Sequence, residues 1–394
     1  MKSLNIKFIP ELDHIRFYAA AMIMIFHFAN GSLVHLLHFD IGVSLFFTLS
    51  GFLFFLIAAN NENEIAYWKF IYNRFLRIYP LVIFLFFIAI AIMGSFTTID
   101  FVNLFGLNLP EKERTDWFVG DWGYQSLSFN WWTIGVEFVF YLMFPFLFKF
   151  YKKQGVSYLI SLALLIVLFK HGFYYALLEE HGWKKLSICL NYSVFGNFDI
   201  FIVGMIAGHF IHQKQDFFSY DVVKSKLFFM VYLVLMWFFL INYIDKFDAP
   251  LSPLITSILC ALLVVFYISS FSNTCDTYFS RVLSLLGSLS FSIYLLHSFI
   301  KDSLVGLGIS GQVENICMNY FSAESTIFLL ALFLYIPVTL VISYFTFKII
   351  EQPFLNMRVS YFKKSQINLD MNEEGNLSEK KAEAVYAGKL LNNN

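Results

Sequence analysis

Ten apolar stretches, each more than four helical turns long, run along the chain. They lie at roughly 14–34, 41–59, 78–96, 131–151, 156–175, 197–213, 226–244, 251–271, 285–305 and 326–350, with polar segments between them. A helix of about 20 apolar residues crosses the hydrocarbon core of a bilayer, and it closes its own backbone hydrogen bonds there. The pattern therefore predicts an all-α fold, a polytopic integral membrane bundle of about ten transmembrane helices. The short, strictly alternating segments of a membrane β-barrel are absent. The longest polar interval, 97–130, carries Asp100, Glu111, Glu113, Asp116 and Asp121 beside Trp117 and Trp122. Two regions follow: a transmembrane domain over 1–357 and a polar tail over 358–394. The tail is rich in Asn, Glu and Lys and is expected to be disordered.

Composition agrees with that pattern. The chain is 58% hydrophobic and 20% aromatic, with 51 Phe and only 14% charged residues, far from a soluble domain. A net charge of −1 argues against a nucleic acid or other polyanionic partner. Cys189, Cys260, Cys275 and Cys317 are scattered, with neither CxxC nor zinc spacing, so no disulfide framework and no metal site is expected. His35 and His38 have HxxH spacing, but only Asp40 stands near them in the sequence. The first span lacks a small-residue cleavage site and reads as a retained helix. With an inward N-terminus, 20 of the 27 lysines and arginines fall on the inner segments, which predicts both termini in the cytoplasm of a multi-pass cell-membrane protein.

Ionisable groups inside the spans carry the candidate chemistry, because each is expensive there. Arg16 and His27 are eleven residues apart in the first span, nearly on one helical face and roughly 16 Å apart along the axis. Glu137 enters the fourth span from outside and His297 lies in the outer half of the ninth. The three groups His27, Glu137 and His297 are thus expected at similar depth, around one buried polar cavity. Arg74 and Arg77, three apart, face one way at the inner mouth of the third span. Guanidinium pairs suit phosphates through charge-assisted, bidentate hydrogen bonds.

Six motifs, in order, resemble the membrane acyltransferase family 3. Leu12-Asp13-His14-Ile15-Arg16 with His27 resembles its first helix, and Phe46-Phe47-Thr48-Leu49-Ser50-Gly51-Phe52 its second-helix signature. Arg74-Phe75-Leu76-Arg77-Ile78-Tyr79-Pro80 and Trp132-Thr133-Ile134-Gly135-Val136-Glu137-Phe138-Val139-Phe140-Tyr141 are similar to two further elements. Gly287 to His297, ending Tyr294-Leu295-Leu296-His297, and Ile350-Glu351-Gln352-Pro353-Phe354 resemble the last two. The resemblance covers about residues 8–357. Ser44 stands where the second helix of the family often carries an acid, and no esterase-like domain follows the last span.

The resemblance implies an acyltransferase that moves an acyl group, usually acetyl, from cytoplasmic acyl-CoA to a hydroxyl of an extracytoplasmic carbohydrate such as lipopolysaccharide O-antigen or capsule. Acyl-CoA is then a cosubstrate, with no resident cofactor. Arg16, Arg74 and Arg77 are expected to hold its phosphates, with the pantetheine arm reaching toward His27. His27 is the expected general base or acyl acceptor, and Glu137 orients it or binds sugar. Trp132, Tyr294 and His297 are weaker candidates for substrate contacts. Each group also has a plainer use. His27 and Glu137 are able to bridge helices, the arginines to anchor at headgroups, and Ser50-Gly51 to form a small-residue packing face. Glu351-Gln352-Pro353 reads first as a helix stop. The competing function is a secondary transporter that uses the buried His and Glu as a proton relay. The acceptor hydroxyl, the acyl length and the oligomeric state carry no signature in the sequence.

Overall fold

The structure, a computed structural model, describes residues 10–29, 38–61, 63–93, 131–213, 225–271 and 277–363. The helices are α1 (Pro10–Ala29), α2 (Gly42–Ala59), α3 (Tyr67–Met93), α4 (Trp131–Gln154), α5 (Val156–His181), α6 (Trp183–Asn191) and α7 (Val194–Gln213). They continue as α8 (Lys226–Tyr243), α9 (Ser252–Phe271), α10 (Tyr278–Ser288), α11 (Ser290–Gly306) and α12 (Ile309–Met318). The last, α13, begins as Ala323–Leu330, passes through two π-helical stretches, Ala331–Tyr335 and Phe347–Glu351, and ends as Gln352–Leu355. Among the described residues the fold is helical, with a single isolated bridge between Ile65 and Phe362.

Eight of these helices are long and apolar enough to cross a membrane, nine if α10 and α11 count as one bent span. The first predicted span is α1, which carries Glu11, Asp13, His14 and Arg16 in its first two turns and is too polar to count with them. That polarity is turned inward: Glu11 and His14 are buried, and His14 hydrogen-bonds Tyr267 and the Ser280 carbonyl.

Two predicted spans differ in a way that shapes the site. The third helix begins at Tyr67 rather than at 78, so Arg74 and Arg77 sit within its turns. They interrupt the apolar run without ending the helix, because each charge meets a partner inside the bundle rather than lipid. The ninth span is not continuous: α10 and α11 meet at an elbow of 64°. At the elbow, Gly287 lies so close to α1 that a Cβ there would stand 2.0 Å from the Asp13 carbonyl oxygen. Only a glycine fits that approach.

The core is aromatic. Phe201 stacks between Phe47 and Phe140 at 4.7 and 4.1 Å, which puts the abundant phenylalanines between α2, α4 and α7. The α2–α7 crossing is tighter still. A Cβ on Gly51 would lie 2.0 Å from the Phe201 carbonyl oxygen, and one on Gly204 2.1 Å from that of Thr48. Small residues at this crossing let the backbones touch, as membrane helices often require.

Residues 358–363, assigned to the tail by the sequence, lie against the start of α3. Asn73 grips the Val359 backbone at both polar atoms, and Ala66 N–H donates to the Tyr361 carbonyl. The rest of the tail, 364–394, and the interval 97–130 with its acidic groups and Trp117 and Trp122 lie outside the described residues.

Candidate active site

A cavity of about 310 Å³ opens between α1, α2, α3, α4, the α10–α11 elbow and the end of α13. Its wall holds Arg16, Arg74, Arg77 and Arg358, together with Asp13, Ser50, Thr133, Glu137, Tyr141 and Tyr294. Four guanidinium groups thus converge from two helices, α1 and α3, and from the segment after α13. Two are neutralised. Arg16 pairs with Asp13 one turn earlier at 3.1 Å, and Arg77 pairs with Glu351 at 3.1 Å. Glu351 is only 1% exposed and also accepts the Ser292 hydroxyl, so one carboxylate ties α3, α11 and α13 together. The expectation of a mere helix stop at Glu351 is corrected here: the backbone continues as a π-turn and the carboxylate is spent on Arg77.

The other two lack a carboxylate within ion-pair distance among the described residues. Arg74 lies over the rings of Phe54 and Phe70 at 4.8 and 5.5 Å, and its Nε is buried without a hydrogen-bond partner. Cation–π contact offsets part of the cost of that burial, but an N–H aimed at no acceptor calls for one. Arg358 keeps an exposed edge at the mouth. Enclosure of its guanidinium and the like charges of Arg74, Arg77 and Arg16 hold its pKa below the usual arginine value. An anion between these groups would relieve that repulsion.

Deeper in the cavity, Glu137 accepts hydrogen bonds from Ser50 (3.1 Å) and from Tyr141, one turn along α4. The Ser50-Gly51 pair therefore divides two roles between neighbours: Gly51 presses on α7 and Ser50 faces the cavity. A turn before Glu137, Thr133 hydrogen-bonds Tyr294, which also lines the cavity.

His27 and His297 are not part of the cavity wall. Their rings are 5.1 Å apart, and the His297 ring is 6.0 Å from that of Tyr294. His297 is 0% exposed; its Nδ1 lies 2.7 Å from the Tyr294 carbonyl and its Nε2 has no hydrogen-bond partner. Lys301, a turn further on, donates to the His27 carbonyl. The single cavity expected around His27, Glu137 and His297 is thus two adjoining clusters. Glu137 stands with the arginines, the two histidines stand together, and Tyr294 separates them. Trp132 is outside the cavity wall, packed edge-on against Phe47 and Tyr192.

The residues that sequence reasoning left out have different signals. Tyr141 is one turn from Glu137 on the same helix, a visible pairing. Lys170 and Asp199, outside this cavity, are charged residues within apolar spans, and such residues are visible by composition alone. Arg358 had no signal, since its place depends on contacts with residues about 290 positions earlier.

A model of an acyltransferase domain, that of acyltransferase family 3, matches residues 9–348. The chain belongs to this family. Acyltransferase MdmB of Streptomyces mycarofaciens is 30% identical over 173 residues, a match that spans 38% of this chain and 41% of that protein. No solved structure matches the chain. The four arginines and Glu137 accordingly line a cavity in a membrane member of an acyltransferase family.

Proposed function

We propose that the protein transfers an acyl group, above all acetyl, from cytoplasmic acyl-CoA to a hydroxyl of an extracytoplasmic carbohydrate such as lipopolysaccharide O-antigen or capsule. One observation carries the proposal. Four arginines meet at one end of a cavity, and two of them, including the orphaned Nε of Arg74, have no carboxylate partner. A phosphate-bearing donor supplies the missing acceptors, and the cavity volume of about 310 Å³ is of the size that takes a small ligand or part of a larger one.

In this mechanism Arg74 holds the phosphates, with the carboxylate-paired Arg16 and Arg77 adding positive charge beside it, and the arm passes Ser50 and Glu137 toward Tyr294. The acceptor arrives on the His27 side, from outside if both termini are cytoplasmic. His27 takes the hydroxyl proton as the oxygen attacks the thioester carbonyl, the C–S bond breaks, and the thiolate of coenzyme A leaves and is protonated. Tyr294 stands where the two substrates meet. His297 lies against His27, and Glu137 holds the Ser50 and Tyr141 hydroxyls that line the donor path.

The test is transfer of label from acetyl-labelled acetyl-CoA to surface polysaccharide in membranes carrying the wild-type chain or His27→Ala, with free coenzyme A measured in parallel. Label and free coenzyme A from wild type alone are expected. Near-wild-type transfer by an equally abundant His27→Ala protein would refute the role of His27. No label and no coenzyme A release with any acyl donor would turn the reading to transport.

A further inference from the structure

Residues 358–363 form a strap that the chain ties down at almost every step. Asn73, 2% exposed on α3, donates through Nδ2 to the Val359 carbonyl at 2.6 Å and accepts the Val359 N–H at 3.0 Å. Two residues on, the Tyr361 carbonyl accepts from Ala66 at 2.7 Å, and the Tyr361 ring packs on Phe70 at 5.4 Å. Phe362 bridges Ile65, and Lys363 donates its N–H to the Glu64 carbonyl and pairs with the Glu64 carboxylate at 2.8 Å. The Lys363 ammonium holds the Glu64 carboxyl below its usual range. A segment that merely left the bundle would need none of these ties. Their joint effect is to fix the backbone next to Arg358, whose side chain lines the cavity mouth.

The two arginines without carboxylate partners lie at different depths. Arg74 is enclosed by Phe54, Phe70 and Tyr141, and Arg358 is at the exposed rim. An enclosed cation and a rim cation in the wall of one cavity fit a ligand with two anionic groups. In an acyl-CoA the diphosphate is nearer the thioester and the 3′-phosphate is on the ribose, farther out. The inner socket is thus matched to the diphosphate and the outer one to the 3′-phosphate. A phosphopantetheine carried on a protein has a single phosphodiester and would leave the outer socket empty.

We infer that Arg358, held by the Asn73-clamped strap, recognises the 3′-phosphate of coenzyme A and so selects coenzyme A thioesters over carrier-protein thioesters. The inference rests on the donor proposed above and adds to it the group that is read and the residue that reads it.

The experiment measures the Kd of coenzyme A and of 3′-dephospho-coenzyme A by calorimetry on the purified full chain in detergent, so that no turnover is needed. Wild type should bind coenzyme A about tenfold to a hundredfold more tightly, the worth of a charge-assisted phosphate contact. Arg358→Gln should abolish that preference and leave the dephospho Kd unchanged. Arg358→Lys should keep part of it. Asn73→Leu, which retains Arg358 but releases the strap, should lose it as Arg358→Gln does. Equal affinities in wild type, or an Arg358→Gln protein that weakens both ligands alike, would overturn the inference and leave the coenzyme A donor standing. Failure of both ligands to bind, with transfer supported by an acyl carrier protein instead, would overturn the donor and the inference together.

Discussion

The buried pair of Lys170 and Asp199 offers a sharp test of how this bundle is held together. Lys170 Nζ lies 2.7 Å from Asp199 Oδ2 and 3.1 Å from the Gly196 carbonyl, and the two side chains are 1% and 0% exposed. Lys170 sits in the seam by which α5 touches the bundle, among Leu159, Ala163, Val167 and Tyr174. The opposite face, with Leu164, Leu165, Leu168 and Phe169, is exposed and apolar, as a lipid-facing surface should be. Lipid tails are as apolar as leucine, so burying the seam brings little hydrophobic gain, and a single unpaired charge left in it would loosen α5 from α7.

Removing one partner leaves an uncompensated charge in a dry interior, at a cost of about 3–5 kcal/mol. Lys170→Met and Asp199→Asn should each lower the unfolding free energy in mixed micelles by that amount. The double variant, which removes both charges, should return to within about 1–2 kcal/mol of wild type and recover acyl transfer. Single variants that cost under about 1 kcal/mol, or a double variant equal to the sum of the two, would refute the account of an interacting pair. A double variant that regains stability but not activity would show that the charges serve the chemistry and not the fastening alone.

The α2–α7 contact predicts a contrast between two glycines. Gly51→Ala places a Cβ 2.0 Å from a backbone oxygen and should destabilise by about 1–3 kcal/mol or more and reduce transfer through the adjacent Ser50. Gly172→Ala, with nothing within 4 Å of the new Cβ, should be neutral or stabilise by about 0.5–1 kcal/mol in the same thermal assay. At the cavity, Glu137→Gln should lower turnover by about 10²-fold or more while the Kd for coenzyme A stays within about twofold, because in the proposed mechanism the arginines and not Glu137 face the phosphates. Turnover near wild type in that variant would remove Glu137 from the chemistry.

Much of this was legible in the sequence for a simple reason: apolar length and the cost of a buried charge are local properties. The runs marked eight of the ten stretches as candidate spans, nine with the bent pair, and the i, i+3 spacing of Arg74 and Arg77 placed both in one cavity wall. The start of α3 was not legible, since residues 67–77 mix Lys69, Asn73, Arg74 and Arg77 with aromatic groups and are less apolar than lipid demands. Only partners from other helices make that stretch helical and inward-facing. The elbow at 288–290 escaped for the same reason, because it answers the close approach of Gly287 to α1 rather than any local break signal. Axial rise placed His27, Glu137 and His297 at comparable depth, but a one-dimensional coordinate does not show that a Tyr294 ring stands between them.

The charge arrangement also sets how much repulsion the cavity wall holds. Four unpaired guanidinium groups in one enclosure would repel strongly, and four paired ones would make any phosphate compete with carboxylates already in place. This chain divides them. Asp13 holds Arg16 from within α1, and Glu351 holds Arg77 across the bundle, which lowers the repulsion to a level the fold tolerates. Arg74 and Arg358 are left to face an anion. Through Ser292 and Arg77 the Glu351 carboxylate also joins the helix that carries Tyr294 to the helix that carries Arg74, and it lies only seven residues before Arg358. A substitution at Glu351 should therefore disturb both ends of the donor path at once, which a residue serving only to end a helix would not do.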